Sequence, residues 1–84
     1  MTIILRYFAW VRERIGQETE TLPFDTPMPL SRLLDELATT GPAHAEALAD
    51  RQRLRVAINE DIVGWDAIAS PGDEVAIFPP VTGG

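Results

Sequence analysis

The chain has 84 residues, a formal net charge of −6 and no cysteine, and a domain of that size buries only about 60% of the surface its unfolded chain exposes. Disulfides, thiolate metal sites and thiol nucleophiles are excluded, and an acidic chain lacks the concentrated basic surface that nucleic acid requires. A deep ligand pocket would hollow out so small a core, so binding or carrying suits the chain better than catalysis by its own side chains.

Thr2 to Phe8 reads as a strand rich in β-branched and aromatic residues. Alternation places Ile3, Leu5 and Tyr7 on one face and Ile4, Arg6 and Phe8 on the other, with Arg6 marking the wetter side. Ala9 to Ile15 follows as a short helix with Val11 and Ile15 on one side, and Gly16 suits a left-handed stop. Glu18 to Phe24 is a weaker strand, which Pro23 assigns to an edge or terminates. Asp25 to Pro29 reads as a turn into a helix, where Leu30, Leu33, Leu34 and Leu37 recur at i, i+3, i+4 and i+7. Thr40-Gly41-Pro42 closes that helix, and Ala43 to Asp50 is expected to hold another helical turn or two. Leu54 to Asn59 is a strand with Leu54, Val56 and Ile58 inward and Arg53, Arg55 and Ala57 outward. Glu60-Asp61 reads as a turn, Ile62 to Gly64 as a short strand, and Ser70-Pro71-Gly72-Asp73 as a second turn with favourable residues throughout. Glu74 to Phe78 is the last strand, with Val75 and Ile77 inward, and Pro79-Pro80 ends it because neither proline can donate to a ladder. This order predicts an α+β domain over 1–78, with one mixed sheet of about five strands and the leucine helix packed across one face. The first and last strands are expected as parallel neighbours at its centre, a β-grasp or ubiquitin-like arrangement, with an extended tail over 79–84.

The tail is the strongest candidate for chemistry. Without a Cβ, Gly83 and Gly84 can enter a channel that any side chain would block. Pro79 and Pro80 stiffen the exit from the sheet, and the six residues from Pro79 to Gly84 reach roughly 20 Å when extended. Such a stalk, running on through Val81 and Thr82, suits delivery of the terminal carboxylate into another protein's active site; the alternative is an ordinary frayed terminus. A carboxylate is ionised at neutral pH and is a poor electrophile, so acyl chemistry at Gly84 needs prior activation, most simply as a mixed anhydride with AMP. The six glycines are scattered and form no phosphate-binding loop, so an external ATP-dependent enzyme is implied.

Other side chains offer less. His44 is the only histidine, lacks a second ligand at metal-binding spacing, and reads as a solvated helix residue; no metal site is expected. Glu60-Asp61 and Asp73-Glu74 read as solvated turn carboxylates, and Arg12-Glu13-Arg14 as an exposed helix face. Phe8 and Phe78, joined by Ile62, are expected to cluster on the sheet face away from the helix as a partner surface rimmed by Arg6, Arg53 and Arg55. A covering loop or a one-residue register slip is the alternative. All seven cations are arginines, so no lysine offers an amine for an isopeptide or Schiff base. Met1 to Arg6 lacks the features of a secretory signal, and no apolar run approaches the roughly 20 residues of a membrane span, so a cytoplasmic protein without membrane contact is expected.

Three segments together resemble one family. Phe8-Ala9-Trp10-Val11-Arg12-Glu13-Arg14-Ile15-Gly16 is similar to its Phe-Ala-x-x-Arg-Glu-x-x-Gly segment, and Val56-Ala57-Ile58-Asn59 to its Val-Ala-Val-Asn strand. Gly72 to Gly84, ending Phe78-Pro79-Pro80-Val81-Thr82-Gly83-Gly84, is close to its C-terminus throughout. The family is that of molybdopterin synthase small subunits, the MoaD-like sulfur carriers. Pro27-Met28-Pro29 departs from the family's usual Thr-Val helix start. The resemblance implies that an adenylyltransferase related to ubiquitin-activating enzymes spends ATP to join AMP to Gly84, and that a sulfur donor converts the adduct to a thiocarboxylate. It further implies that Val81, Thr82 and Gly83 thread a large synthase subunit, within a heterotetramer, where sulfur passes to cyclic pyranopterin monophosphate in molybdenum cofactor biosynthesis. The small subunit is then a non-catalytic part of a sulfurtransferase, binds no cofactor, and leaves catalytic side chains to its partner. Competing readings are a thiamine-type sulfur carrier, a ubiquitin-like protein modifier, and a β-grasp interaction domain with an inert tail.

Overall fold

The computed structural model describes residues 1–80; Val81, Thr82, Gly83 and Gly84 lie outside the described residues. Strand β1 (Thr2–Tyr7) buries Ile3, Leu5 and Tyr7 completely, as its alternation predicts. Helix α1 (Ala9–Ile15) follows at once, and Ala9 makes the turn at a φ of 55°, a left-handed conformation that costs a non-glycine residue about 1–2 kcal/mol. Gly16, at φ 85°, ends the helix with its N–H donating to the Arg12 carbonyl. Strand β2 (Thr19–Pro23) returns antiparallel to β1 and lies at the sheet edge, where Pro23 is tolerated.

Helix α2 (Leu30–Ala38) buries Leu30, Leu33, Leu34 and Leu37, the four residues of its apolar stripe. Its start differs from the expected turn. Met28–Pro29 forms a two-residue strand, β3, that pairs antiparallel with β6 (Ile68–Ala69). This ribbon brings the Ala67 and Trp65 carbonyls to the N–H groups of Leu30 and Ser31, at 2.9 Å each. Backbone from a distant loop therefore satisfies donors that a capping side chain would normally take. Helix α3 (Pro42–Ala47) packs on both α1 and α2, and a 3-10 turn at Arg51–Arg53 leads into β4 (Arg55–Ile58).

Strands β4 and β5 (Asp61–Val63) form a hairpin around Asn59 and Glu60, one residue earlier than the expected Glu60-Asp61 turn. Both loop residues take positive φ, 48° and 75°, the signature of the two-residue turn whose twist matches its strands. The Asn59 amide donates to Asp73 Oδ1 at 3.0 Å, and its oxygen accepts the Glu74 N–H at 3.0 Å. This pins the hairpin to β7 (Glu74–Phe78). The main sheet runs β2-β1-β7-β4-β5, with β1 and β7 parallel at its centre and the other pairs antiparallel. Leucines of α2 meet Leu5, Leu54, Val56, Val75 and Ile77 in one core.

Candidate functional site

The end of β7 is where the tail begins. β7 is held by β1 on one side and β4 on the other, so the residue before Pro79 leaves from the firmest part of the sheet. Pro79 and Pro80 lie beyond the strand, half-buried and in no regular element. Gly83 and Gly84, the sequence's first choice for chemistry, and Val81 and Thr82, its choice for partner contact, lie outside the described residues.

The residues expected to form an apolar cluster are spread across the sheet face away from α2, with Phe8 and Phe78 at its β1–β7 end and Ile62 two strands away on β5. Register places Arg6, Ala76, Ala57 and Ile62 in one row across four strands, and Arg55 opposite Phe78 in the next. Phe8 lies one step beyond the Tyr7–Ile77 pair, held beside β7 by its N–H to the Ile77 carbonyl. Ile62 is 72% exposed, Phe8 39% and Ile4 38%, while Phe78 is half-buried. Ala57 keeps its outward register, between Ala76 and Ile62, yet is buried. Arg6 binds Glu74 at 3.2 Å, and its guanidinium lies 5.6 Å from the Phe8 ring centre.

Arg53 does not rim this face as the sequence suggests. It belongs to the 3-10 turn, and its guanidinium lies over the Trp10 ring at 5.4 Å, with Arg14 over the same ring at 5.0 Å. Nothing in the local sequence signals that arrangement, because Trp10 and Arg53 come from separate elements.

His44 corrects the expectation of a solvated residue: it is only 7% exposed. Its Nε2 lies 2.5 Å from Glu20 Oε1, and the Tyr7 hydroxyl donates to the same oxygen at 2.9 Å. The Tyr7 and His44 rings meet edge to face at 6.3 Å. Burial, and secondarily the bond to Glu20 and its charge, raise the Tyr7 phenol well above its ordinary range. A single carboxylate thereby ties β1, β2 and α3 together. Its role is structural, since Tyr7 is fully buried and His44 and Glu20 nearly so.

No group of three potential metal-binding side chains occurs among the described residues. An open polar depression of about 310 Å³, lined by Arg6, Asn59, Glu60 and Glu74, sits on the surface and encloses nothing. No helix among the described residues is long and apolar enough to cross a membrane. The described side chains thus form a five-strand sheet whose outer face exposes Phe8 and Ile62 beside the start of the tail.

The five-strand mixed sheet with a helix across one face defines a ubiquitin-like β-grasp domain. The model of the ThiS family matches residues 5–84. The molybdopterin synthase sulfur carrier subunit of Escherichia coli is 40% identical over 78 residues, covering 93% of this chain and 94% of that one. The chain belongs to the ThiS family. Among solved structures, the small archaeal modifier protein 1 of Haloferax volcanii matches with a TM-score of 0.76 at 27% identity, over 95% of this chain and 98% of that one. A complex of subunits 1 and 2 of the molybdopterin-converting factor from Helicobacter pylori shares the fold, with a TM-score of 0.66 at 22% identity and full coverage of both chains.

Proposed function

We propose that this chain is the sulfur carrier subunit of a molybdopterin synthase and that the Gly84 carboxylate is its working group. The observation that carries the reading is a family match extending to residue 84, on a domain whose described side chains assemble no reactive centre of their own. The Gly84 carboxylate attacks the α-phosphorus of ATP on an activating enzyme and expels pyrophosphate. A sulfide-level donor then displaces AMP, leaving a terminal thiocarboxylate. Buried in the large subunit, that sulfur attacks a side-chain carbon of the pyranopterin and displaces an oxygen substituent. Water then cleaves the acyl–sulfur bond, leaving the sulfur on the pterin and releasing the chain as the carboxylate. The tail needs a slim end to reach the buried substrate, which two glycines provide. The outer face, with Phe8, Ile62 and Phe78 and the half-buried Pro79 and Pro80 beyond it, supplies the docking surface.

A protein modifier is the second reading, favoured by the likeness to the small archaeal modifier protein. Incubation with a large subunit, an activating enzyme, ATP and a sulfur source, followed by intact mass and pterin analysis, separates the two. Exchange of oxygen for sulfur at Gly84 with dithiolene product is expected. Loading without pterin turnover points to another sulfur pathway, such as a thiamine-type one, and lysine adducts without sulfur exchange point to a modifier.

A further inference from the structure

Of the seven arginines, three pair with a carboxylate among the described residues and four do not. Among the described residues, Arg6, Arg32 and Arg51 pair with Glu74, Glu36 and Asp35. Arg14, Arg53 and Arg55 pair with no carboxylate there; the first two meet over one ring, and Arg55 donates to the Gln52 and Leu54 carbonyls at 3.2 and 2.8 Å. Arg14 from α1 and Arg53 from the 3-10 turn lie over the same Trp10 ring, at 5.0 and 5.4 Å. Arg55 follows two residues later as the register partner of Phe78, the last residue before Pro79. All three are exposed. Arg12, also unpaired, lies about 200° around α1 from Trp10 and is not part of the group.

Holding like charges together is unfavourable unless something compensates. The face of Trp10 attracts both guanidiniums. A guanidinium stacked on a ring still presents its in-plane N–H groups outward, in the fork that matches a carboxylate. The cluster is therefore organised before any partner arrives. It lies at the root of the tail on a molecule of net charge −6, which disfavours a long polyanion and suits a few carboxylates at short range.

We propose that Arg14 and Arg53, organised by Trp10, and Arg55, held by the Gln52 and Leu54 carbonyls, form a cationic collar that docks against carboxylates bordering the channel through which the large synthase subunit takes the tail. The proposal rests on the carrier reading above. The large subunit is the fitting partner because the collar is continuous with the apolar face through the Arg55–Phe78 pair. A protein that covers that face while drawing in the tail meets Arg55 there, and has only to extend past it along the turn to reach Arg53 and Arg14. Charges in such a rim govern the rate of encounter more than the lifetime of the complex.

The test compares the wild type with an Arg14→Glu, Arg53→Glu double variant and an Arg14→Gln, Arg53→Gln double variant. Each is checked for an unchanged melting temperature, then assayed for association with the purified large subunit at low and high salt. The Glu pair is expected to associate about tenfold or more slowly at low salt, with the Gln pair intermediate and the differences vanishing at high salt. Trp10→Leu, which keeps the charges but removes their platform, is expected to slow association by a smaller factor. Wild-type rates and salt dependence in both double variants would overturn the collar, as would slowing seen only with the activating enzyme. Sulfur loading and pterin turnover by the wild type test the carrier reading separately, so loss of the collar alone leaves that activity standing.

Discussion

At the scale of single residues, the contact shared by Tyr7, Glu20 and His44 is the most consequential one outside the apolar core. Glu20→Ala would leave a buried hydroxyl and a buried imidazole without their common acceptor, so it is expected to cost about 1–3 kcal/mol in urea unfolding. Tyr7 gives a sharper prediction. Its phenol stays neutral in the folded state to well above the pH at which the unfolded chain ionises. Its contribution is therefore complete below the unfolded value near pH 10 and is lost as pH rises beyond it. The chain has one tyrosine, no lysine and no cysteine, so few other groups titrate in that range. The melting temperature should hold to about pH 10 and fall above it, and Tyr7→Phe should flatten that fall. The inward position of Tyr7 was legible from strand alternation. The burial of His44 was not, because its acceptor lies 24 residues earlier on an edge strand and its own helix is rich in alanine and polar residues.

At the scale of elements, the hairpin around Asn59 joins local turn chemistry to the strand that carries the tail. Asn59 tolerates the left-handed backbone and also binds Asp73 and Glu74 through its side chain. Asn59→Gly would keep the backbone freedom and lose both side-chain bonds. Asn59→Ala would lose the bonds and add strain. Stability by denaturant midpoint is expected to fall in the order Asn, Gly, Ala, with Ala about 1–2 kcal/mol below Gly. The leucine helix, the central strands and the edge position of Pro23 followed from periodicity and from proline's missing donor. The hairpin turn shifted by one residue because Asn59, Glu60 and Asp61 all carry turn-compatible side chains, and only the pairing of Ile58 with Asp61 decides between them. The β3–β6 ribbon was beyond reach, since two-residue strands have no period to read and one of these contains a proline.

At the scale of the whole molecule, the proposed function makes the domain a mount whose outer sheet face docks on the partner that receives the tail. Phe78→Ala is expected to weaken binding to the large subunit by about tenfold or more, as a half-buried aromatic at the centre of an interface does. It should cost less in folding, because Phe78 lies on the outer sheet face and not in the core shared with α2. The last six residues stand out in the sequence, since Gly-Gly after Pro-Pro has few structural uses, although Val81 to Gly84 lie outside the described residues. The meeting of Arg14 and Arg53 over Trp10 was not legible, because it depends on two separate elements coming together. The central claim is that Gly84 carries sulfur. It is tested most directly by intact-mass analysis of the full chain and of a chain lacking Gly84, each after incubation with activating enzyme, ATP and sulfur donor. The full chain should exchange one oxygen for sulfur and the shortened chain should not, with both melting at nearly the same temperature. Equal loading of the two chains, or no loading of either, would contradict it.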